Sequence, residues 1–198
     1  MIGFYYRFDG LEPSDRYRNS NGQTRDGQTI FKKRLSNLYY TYYQSPVGLL
    51  KIGGTENYIS ELLFIDNPEQ VTHGEPGITE VMHQCTEELI EFFNGKRNSF
   101  DIPVYQSGTE FQQKVWGELV QIPYGKTISY LELAQRIGDV KAIRAAASTN
   151  GKNKICIIVP CHRVIGSDKS LTGYSGGLWR KKWLLQHEFK VLHGIQTL

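Results

Sequence analysis

The stretch Ile157-Ile158-Val159-Pro160-Cys161-His162-Arg163-Val164-Ile165-Gly166 places one thiol beside one imidazole at the end of an apolar run. Ile155 to Val159 is short, continuous and rich in β-branched residues, the pattern of a buried strand. Pro160 offers no N–H to a ladder and fixes its own φ. It therefore ends the strand and sets Cys161 at a rigid turn, where a nucleophile is held in one orientation. A free thiol, with a pKa near ~8.5, is mostly protonated at neutral pH, so a reactive cysteine needs a base or a positive neighbour. His162 and Arg163 are the local candidates. Taken alone, a Cys-His pair reads as readily as a small buried hydrophobe with an incidental polar neighbour. The surrounding sequence has to decide.

Upstream, Thr109-x-x-Gln112 is a capping box opening a helix whose Phe111, Val115 and Leu119 form one face. Pro123-Tyr124-Gly125 breaks the chain. Ser129-Tyr130-Leu131-Glu132 is a second capping box, with Ile128 and Leu133 placed as a hydrophobic staple and Gly138 as the C-terminal stop. Asp139 can cap the next helix, and Lys141-Ala142-Ile143-Arg144-Ala145-Ala146-Ala147 has strong helix propensity. Two short helices joined by a tight turn containing Gly form a helix-turn-helix, whose second helix is normally the one inserted into a nucleic-acid groove. Helix pairs of this shape also serve as packing units. The alanine-rich face would let the helix backbone approach a nucleic acid closely.

Further upstream, Arg97 to Gly108 reads as a connection between domains. A helix is expected from after Pro76-Gly77 to about Phe93, with Val81, Cys85, Leu89 and Phe92 on its apolar face. Cys85 is most simply a core residue there. His73 and His83 lack ligand spacing to a second thiol, so no metal site is expected. The runs 38–43, 48–52 and 58–65 favour strands, and Ser45-Pro46 and Gly53-Gly54 supply turns, so a small antiparallel sheet is expected. Residues 1–36 are polar, without sustained periodicity, and read as an extension.

A chain of 198 residues, 39% hydrophobic and 22% charged, can hold one large globular domain or two small ones. Three cysteines without C-x-x-C spacing argue against a disulfide framework and against a zinc site. No signal-peptide run is present and no apolar stretch reaches the roughly 18 residues that span a bilayer, so an intracellular, cytoplasmic protein is expected. The net charge of +3 hides an asymmetry: residues 1–106 carry 10 Lys and Arg against 14 Asp and Glu, net −4, whereas residues 107–198 carry 13 against 6, net +7. The basic half contains the thiol, as expected of a domain that meets phosphate backbones.

Three strings carry a specific resemblance: Asn153 to Arg163, then Gly173-Tyr174-Ser175-Gly176-Gly177-Leu178, then Trp183-Leu184-Leu185-Gln186-His187-Glu188. Together they resemble the O6-alkylguanine-DNA alkyltransferases, closely over residues 107–190 and loosely over 38–102. The resemblance implies a mixed α/β (α+β) chain. Residues 37–102 would form a small N-terminal RNase H-like α/β domain, and residues 107–198 a mostly helical C-terminal domain with a winged-helix-like helix-turn-helix.

It further implies direct reversal of O6-alkylguanine, by irreversible transfer of the alkyl group to Cys161. Glu188 would orient His162, which takes the thiol proton through a bridging water, and Asn153 would brace the turn. The partner would be double-stranded DNA entered from the minor groove, with the damaged nucleotide flipped out. Arg144 would fill the gap left behind. Tyr130 would crowd the adjacent phosphate and bond N3 of the base, while the backbone N–H of Ser175, beside Tyr174, would bond O6. The carbonyls of Cys161 and Val164 would accept from the guanine amino group, and Lys181 would lie near the pocket mouth. No cofactor, metal or membrane is implied, and a monomer is the default.

Two positions depart from the family pattern. Lys154 stands where proline often follows the asparagine, and Cys156 stands where proline or a small residue lines the pocket. The rivals are an alkyltransferase-like protein that recognises the lesion without repairing it, a Cys-His hydrolase, which would turn over, and a helix-turn-helix regulator. The first lacks the cysteine present here.

Overall fold

The computed structural model describes residues 37–67 and 75–195. The polar extension over 1–36 and His73 lie outside the described residues.

In the N-terminal domain, β1 (Tyr39–Ser45) and β2 (Gly48–Gly54) form a hairpin in register from Tyr39 opposite Gly54 to Ser45 opposite Gly48. The Ser45 hydroxyl closes the turn by donating to Gly48 O at 2.7 Å and accepting from Val47 N at 3.2 Å. β3 (Ile59–Ile65) pairs antiparallel with β2, and the short β4 (Glu75–Pro76) runs parallel to β1, giving the order β3-β2-β1-β4. β2 is central and buried, with Leu50 and Ile52 in the core and Lys51 kept satisfied by the Glu61 carboxylate at 2.8 Å.

The first helix, α1 (Glu80–Phe93), is capped by Thr79 and packs Met82, Cys85, Leu89, Phe92 and Phe93 into the core. These residues recur at the three- and four-residue spacing of one helical face. Burial pushes the Cys85 thiol up to about 12, the state of an inert core residue.

The connection after α1 is stitched to the sheet. Ile59 N donates to Pro103 O and Tyr105 N donates to Ile59 O, both at 2.9 Å, which makes a parallel bridge between Ile59 and Val104.

The C-terminal domain holds α2 (Glu110–Val120), α3 (Tyr130–Arg136), α4 (Ile143–Gly151) and α5 (Leu178–Leu192), with a parallel pair of two-residue strands, β5 (Ile128–Ser129) and β6 (Val164–Ile165). The Thr109 capping box is complete in both directions. At Ser129 the hydroxyl caps Glu132 N, whereas the Glu132 carboxylate accepts from Arg136 at 2.7 Å. Gly138, with φ +82°, follows α3. Asp139 caps Lys141 N, but a 3-10 turn, Val140–Ala142, precedes α4, so the expected helix begins one turn later. The mixed α/β fold, with an N-terminal sheet domain and a helical C-terminal domain, is as expected.

Ile155–Val159, buried except for the half-buried Ile158, does not form the expected strand. It makes a single bridge, with Leu62 N donating to Lys154 O at 2.7 Å and Cys156 N donating to Leu62 O at 2.9 Å. It then curls, with Ile158 N bonding Cys156 O and Val159 N bonding Ile155 O. Ile157 has φ +70°, a conformation that is costly for a β-branched residue and is held here by the packing of its buried side chain. A continuous apolar run reports burial and not a hydrogen-bond ladder. Among the described residues, no helix is long and apolar enough to cross a membrane.

Candidate active site

Cys161 opens a 3-10 turn, Cys161–Arg163, directly after Pro160, and is almost wholly buried. Asn153 organises the approach to it. Its Nδ2 donates to Val159 O at 2.8 Å, to Ile155 O at 3.3 Å and to Cys161 Sγ at 3.1 Å. Its Oδ1 accepts from Ile155 N at 3.0 Å and from Gln106 Nε2 at 3.2 Å. Gln106 Oε1 in turn accepts from Lys154 N at 3.0 Å. This carboxamide chain holds the segment without a proline at 154. Burial pushes the Cys161 thiol up, while the Asn153 hydrogen bond and then the charge of Lys181 act against the rise.

His162 and Glu188 meet at 2.7 Å between Nε2 and Oε1, and both side chains are 0% exposed. A surface role for Glu188 on α5 is therefore excluded. Arg163 grips the same carboxylate with Nε at 3.2 and 3.0 Å and with its second terminal nitrogen at 3.0 Å, and donates to Ile122 O at 2.7 Å. Gly125 N also donates to Glu188, at 2.9 Å. Burial alone would raise the Glu188 carboxyl, but His162 and Arg163 hold it at about 2. Burial depresses His162, and the pull of Glu188 offsets this only in part.

The imidazole is therefore neutral at rest. A carboxylate cannot donate, so the ring proton sits on Nε2 and leaves Nδ1 as the basic nitrogen. Nδ1 is buried and has no hydrogen-bond partner among the described residues.

Lys181 does not lie at a pocket mouth. It is 0% exposed, and its Nζ donates to Val164 O at 2.6 Å and to Thr172 O at 2.7 Å. Burial brings its pKa down to about 8. One lone pair of the Val164 carbonyl, assigned above to the guanine amino group, is thus already occupied.

Tyr130, the first residue of α3, points its hydroxyl at the carbonyls of Thr172 and Gly173, at 3.2 and 3.4 Å, and burial raises its pKa. Tyr174 is half-buried, with its hydroxyl inside and without a partner among the described residues. Ser175 is exposed in the same loop, and Arg144 is exposed on α4 with no ion pair among the described residues. Cys156 packs in the core.

The structure thus brings Cys161, His162, Glu188, Asn153 and Lys181 into one buried cluster, with Tyr130, Val164 and Tyr174 against it and Arg144 and Ser175 outside. Arg163, named from the sequence as a candidate neighbour of the thiol, acts instead through its bidentate hold on Glu188. One further member escaped the sequence. Asn150, on the last turn of α4, donates to Cys161 O at 3.3 Å, and its Oδ1 is buried without a partner among the described residues. Nothing in its local sequence distinguishes it from a helix-end asparagine. Among the described residues, no group of side chains could hold a metal ion.

The cluster presents a held thiol with a neutral base in reserve, suited to nucleophilic attack on a group delivered to it. Residues 110–190 match the family model for the 6-O-methylguanine DNA methyltransferase DNA-binding domain, and residues 38–106 match that for its ribonuclease-like domain. The methylated-DNA–protein-cysteine methyltransferase of Methanosarcina acetivorans is 39% identical over 153 residues, covering 76% of this chain and 98% of that one. The constitutive one of Bacillus subtilis is 42% identical over 143 residues, covering 70% and 87%. The crystal structure of Mycobacterium tuberculosis O6-methylguanine methyltransferase superposes with a TM-score of 0.71 at 40% identity, covering 77% of this chain and 93% of that one. Its complex with DNA gives 0.72 at 40% identity, covering 77% and 94%.

Proposed function

This chain belongs to the 6-O-methylguanine DNA methyltransferase family, and from that premise we propose that it repairs DNA by moving the alkyl group of O6-alkylguanine onto Cys161. The observation that carries the assignment to Cys161 is its place under the Asn153 carboxamide, beside the buried His162–Glu188 pair.

The thiol proton passes through a bridging water to Nδ1 of His162. The imidazolium so formed is stabilised by the Glu188 carboxylate at 2.7 Å. The Cys161 thiolate, steadied by the Asn153 N–H, attacks the alkyl carbon, the carbon–O6 bond breaks, and the electron pair leaves with the guanine. A hydrogen bond from the loop beside Tyr174 and Ser175 to O6 eases that departure. The departing guanine anion takes up one proton, equivalent to the one the thiol gave up, so the products are guanine in DNA and a thioether. A thioether has no leaving group for a second round, so each molecule reacts once.

Because Cys161 is almost wholly buried, the base has to leave the stack and enter the protein. The partner is DNA. The alanine-rich α4 approaches the minor groove, with exposed Arg144 taking the position of the flipped nucleotide and Tyr130 contacting the base. Cys161→Ser tests the assignment: the variant binds a duplex carrying the lesion and accepts no alkyl group. Transfer by that variant would move the acceptor elsewhere.

A further inference from the structure

Arg180 lies in the first turn of α5, six residues after Tyr174, yet its side chain reaches into the N-terminal domain and is only 4% exposed. Its Nε donates to Val47 O at 2.8 Å in the β1–β2 turn. Its two terminal nitrogens donate to the Asp66 carboxylate, just after β3, at 3.2 and 2.5 Å. One of them also donates to Gly176 O at 2.9 Å, in the loop proposed above to meet the base. The guanidinium carbon sits 4.7 Å from the ring centre of Phe64 and 4.5 Å from that of Trp179, so the planar group lies over two aromatic rings as well as being hydrogen-bonded.

The backbone is shaped to admit it. Gly48 has φ +113°, and a Cβ there would come within 2.9 Å of an Arg180 terminal nitrogen. At Gly176 a Cβ would come within 2.7 Å of the Phe64 ring, so the loop itself lies against β3. Lys181, the next residue, holds Val164 O and Thr172 O. Two consecutive cations thus pin the start and the end of one loop.

We infer that Arg180 is a positioning residue that makes the N-terminal sheet the anchor of the Tyr174–Gly177 loop, and so fixes where the loop backbone stands against the alkylated base. The inference rests on the functional reading above. It gives the N-terminal sheet a part in the chemistry although no side chain of β1–β4 belongs to the thiol cluster. Arg180 touches neither the thiol nor its proton path, so its loss should spare the intrinsic reactivity of Cys161.

The experiment compares two reactions in the full chain: benzyl transfer from free O6-benzylguanine and alkylation of Cys161 by iodoacetamide. Asp66→Asn, whose carboxylate is 80% exposed at the rim, removes one anchor, and Arg180→Lys removes the planar fork. Benzyl transfer should slow several-fold in Asp66→Asn and about tenfold in Arg180→Lys, the effect of ~1.4 kcal/mol, mainly through weaker capture of the base, while iodoacetamide reacts as before. If Arg180→Lys fails to fold, Asp66→Asn decides alone. Unchanged benzyl transfer, or equal losses with both reagents, overturns this inference. An unsubstituted protein that transfers neither the benzyl group nor the methyl group of O6-methylguanine in a duplex overturns the functional reading beneath it; one that transfers methyl alone moves the comparison to that duplex.

Discussion

Nε2 of His162 and Oε1 of Glu188 stand 2.7 Å apart with neither side chain reachable by solvent, so the base beside the thiol is held by a charge that water does not screen. The same carboxylate neutralises Arg163, which ties thiol activation to the stability of the domain.

Glu188→Gln should therefore act twice. Burial of an Arg163 that has lost its anion costs about 3 kcal/mol, read as a lowered urea midpoint. With less negative charge to support the imidazolium, the pH at which Cys161 reacts with a small electrophile should rise. An unchanged pH profile in the folded variant would refute the wiring.

The acid limb of stability follows from the same pair. Glu188 sits at about 2 against an ordinary 4.5, so the unfolded chain takes up that proton first and the stabilisation, full above 4.5, is lost as pH falls toward 2. His162 is also depressed, so its share is full above 6.5 and declines below it. Urea midpoints should fall from pH 6.5 downward and more steeply below 4.5, and Glu188→Gln should lose the steep part. A limb of the same shape in both proteins would contradict this.

Asn153→Asp tests the brace. A carboxylate cannot donate to Val159 O, Ile155 O or Sγ, and it sets a negative charge beside the forming thiolate. Stability should drop by more than about 2 kcal/mol, and Cys161 should react only at higher pH. A reaction unchanged in pH dependence would remove Asn153 from the site.

Much of this was legible in the chain itself. Thr109, Ser129 and Gly138 mark helix ends because their local chemistry acts within four residues. The Pro160-Cys161-His162 turn and the downstream Tyr174 and Glu188 carry the family pattern. What was not legible depends on partners distant in sequence. Ile155–Val159 is apolar enough for a strand, but its amides bond locally and to Leu62. Lys181, expected near the pocket mouth, is buried on α5 because its ammonium is held by two carbonyls from 164 and 172. Arg180 finds its anchors at Val47 and Asp66, more than a hundred residues away.

Arg144→Ala separates flipping from chemistry. Repair of a duplex should slow by about tenfold or more, a loss of ~1.4 kcal/mol or greater, while reaction with free O6-benzylguanine stays close to normal, since only the duplex has a gap to hold open. Equal losses on both substrates would show that Arg144 acts elsewhere.

Binding to undamaged duplex should depend steeply on salt, since the C-terminal half carries net +7. Each phosphate neutralised adds about −0.9 to the slope of log affinity against log salt, and several such contacts are expected. A flat salt response would place the DNA on another surface.

The most direct test gives the protein an excess of duplex containing O6-methylguanine and follows restored guanine against protein concentration. Repair should stop at about one lesion per active molecule, because the methyl thioether offers no leaving group. Mass spectrometry should then find a single added methyl on the peptide holding Cys161, with Cys85 and Cys156 unmodified. Product formation that continues past that plateau, or a methyl group on any other residue, would contradict the account.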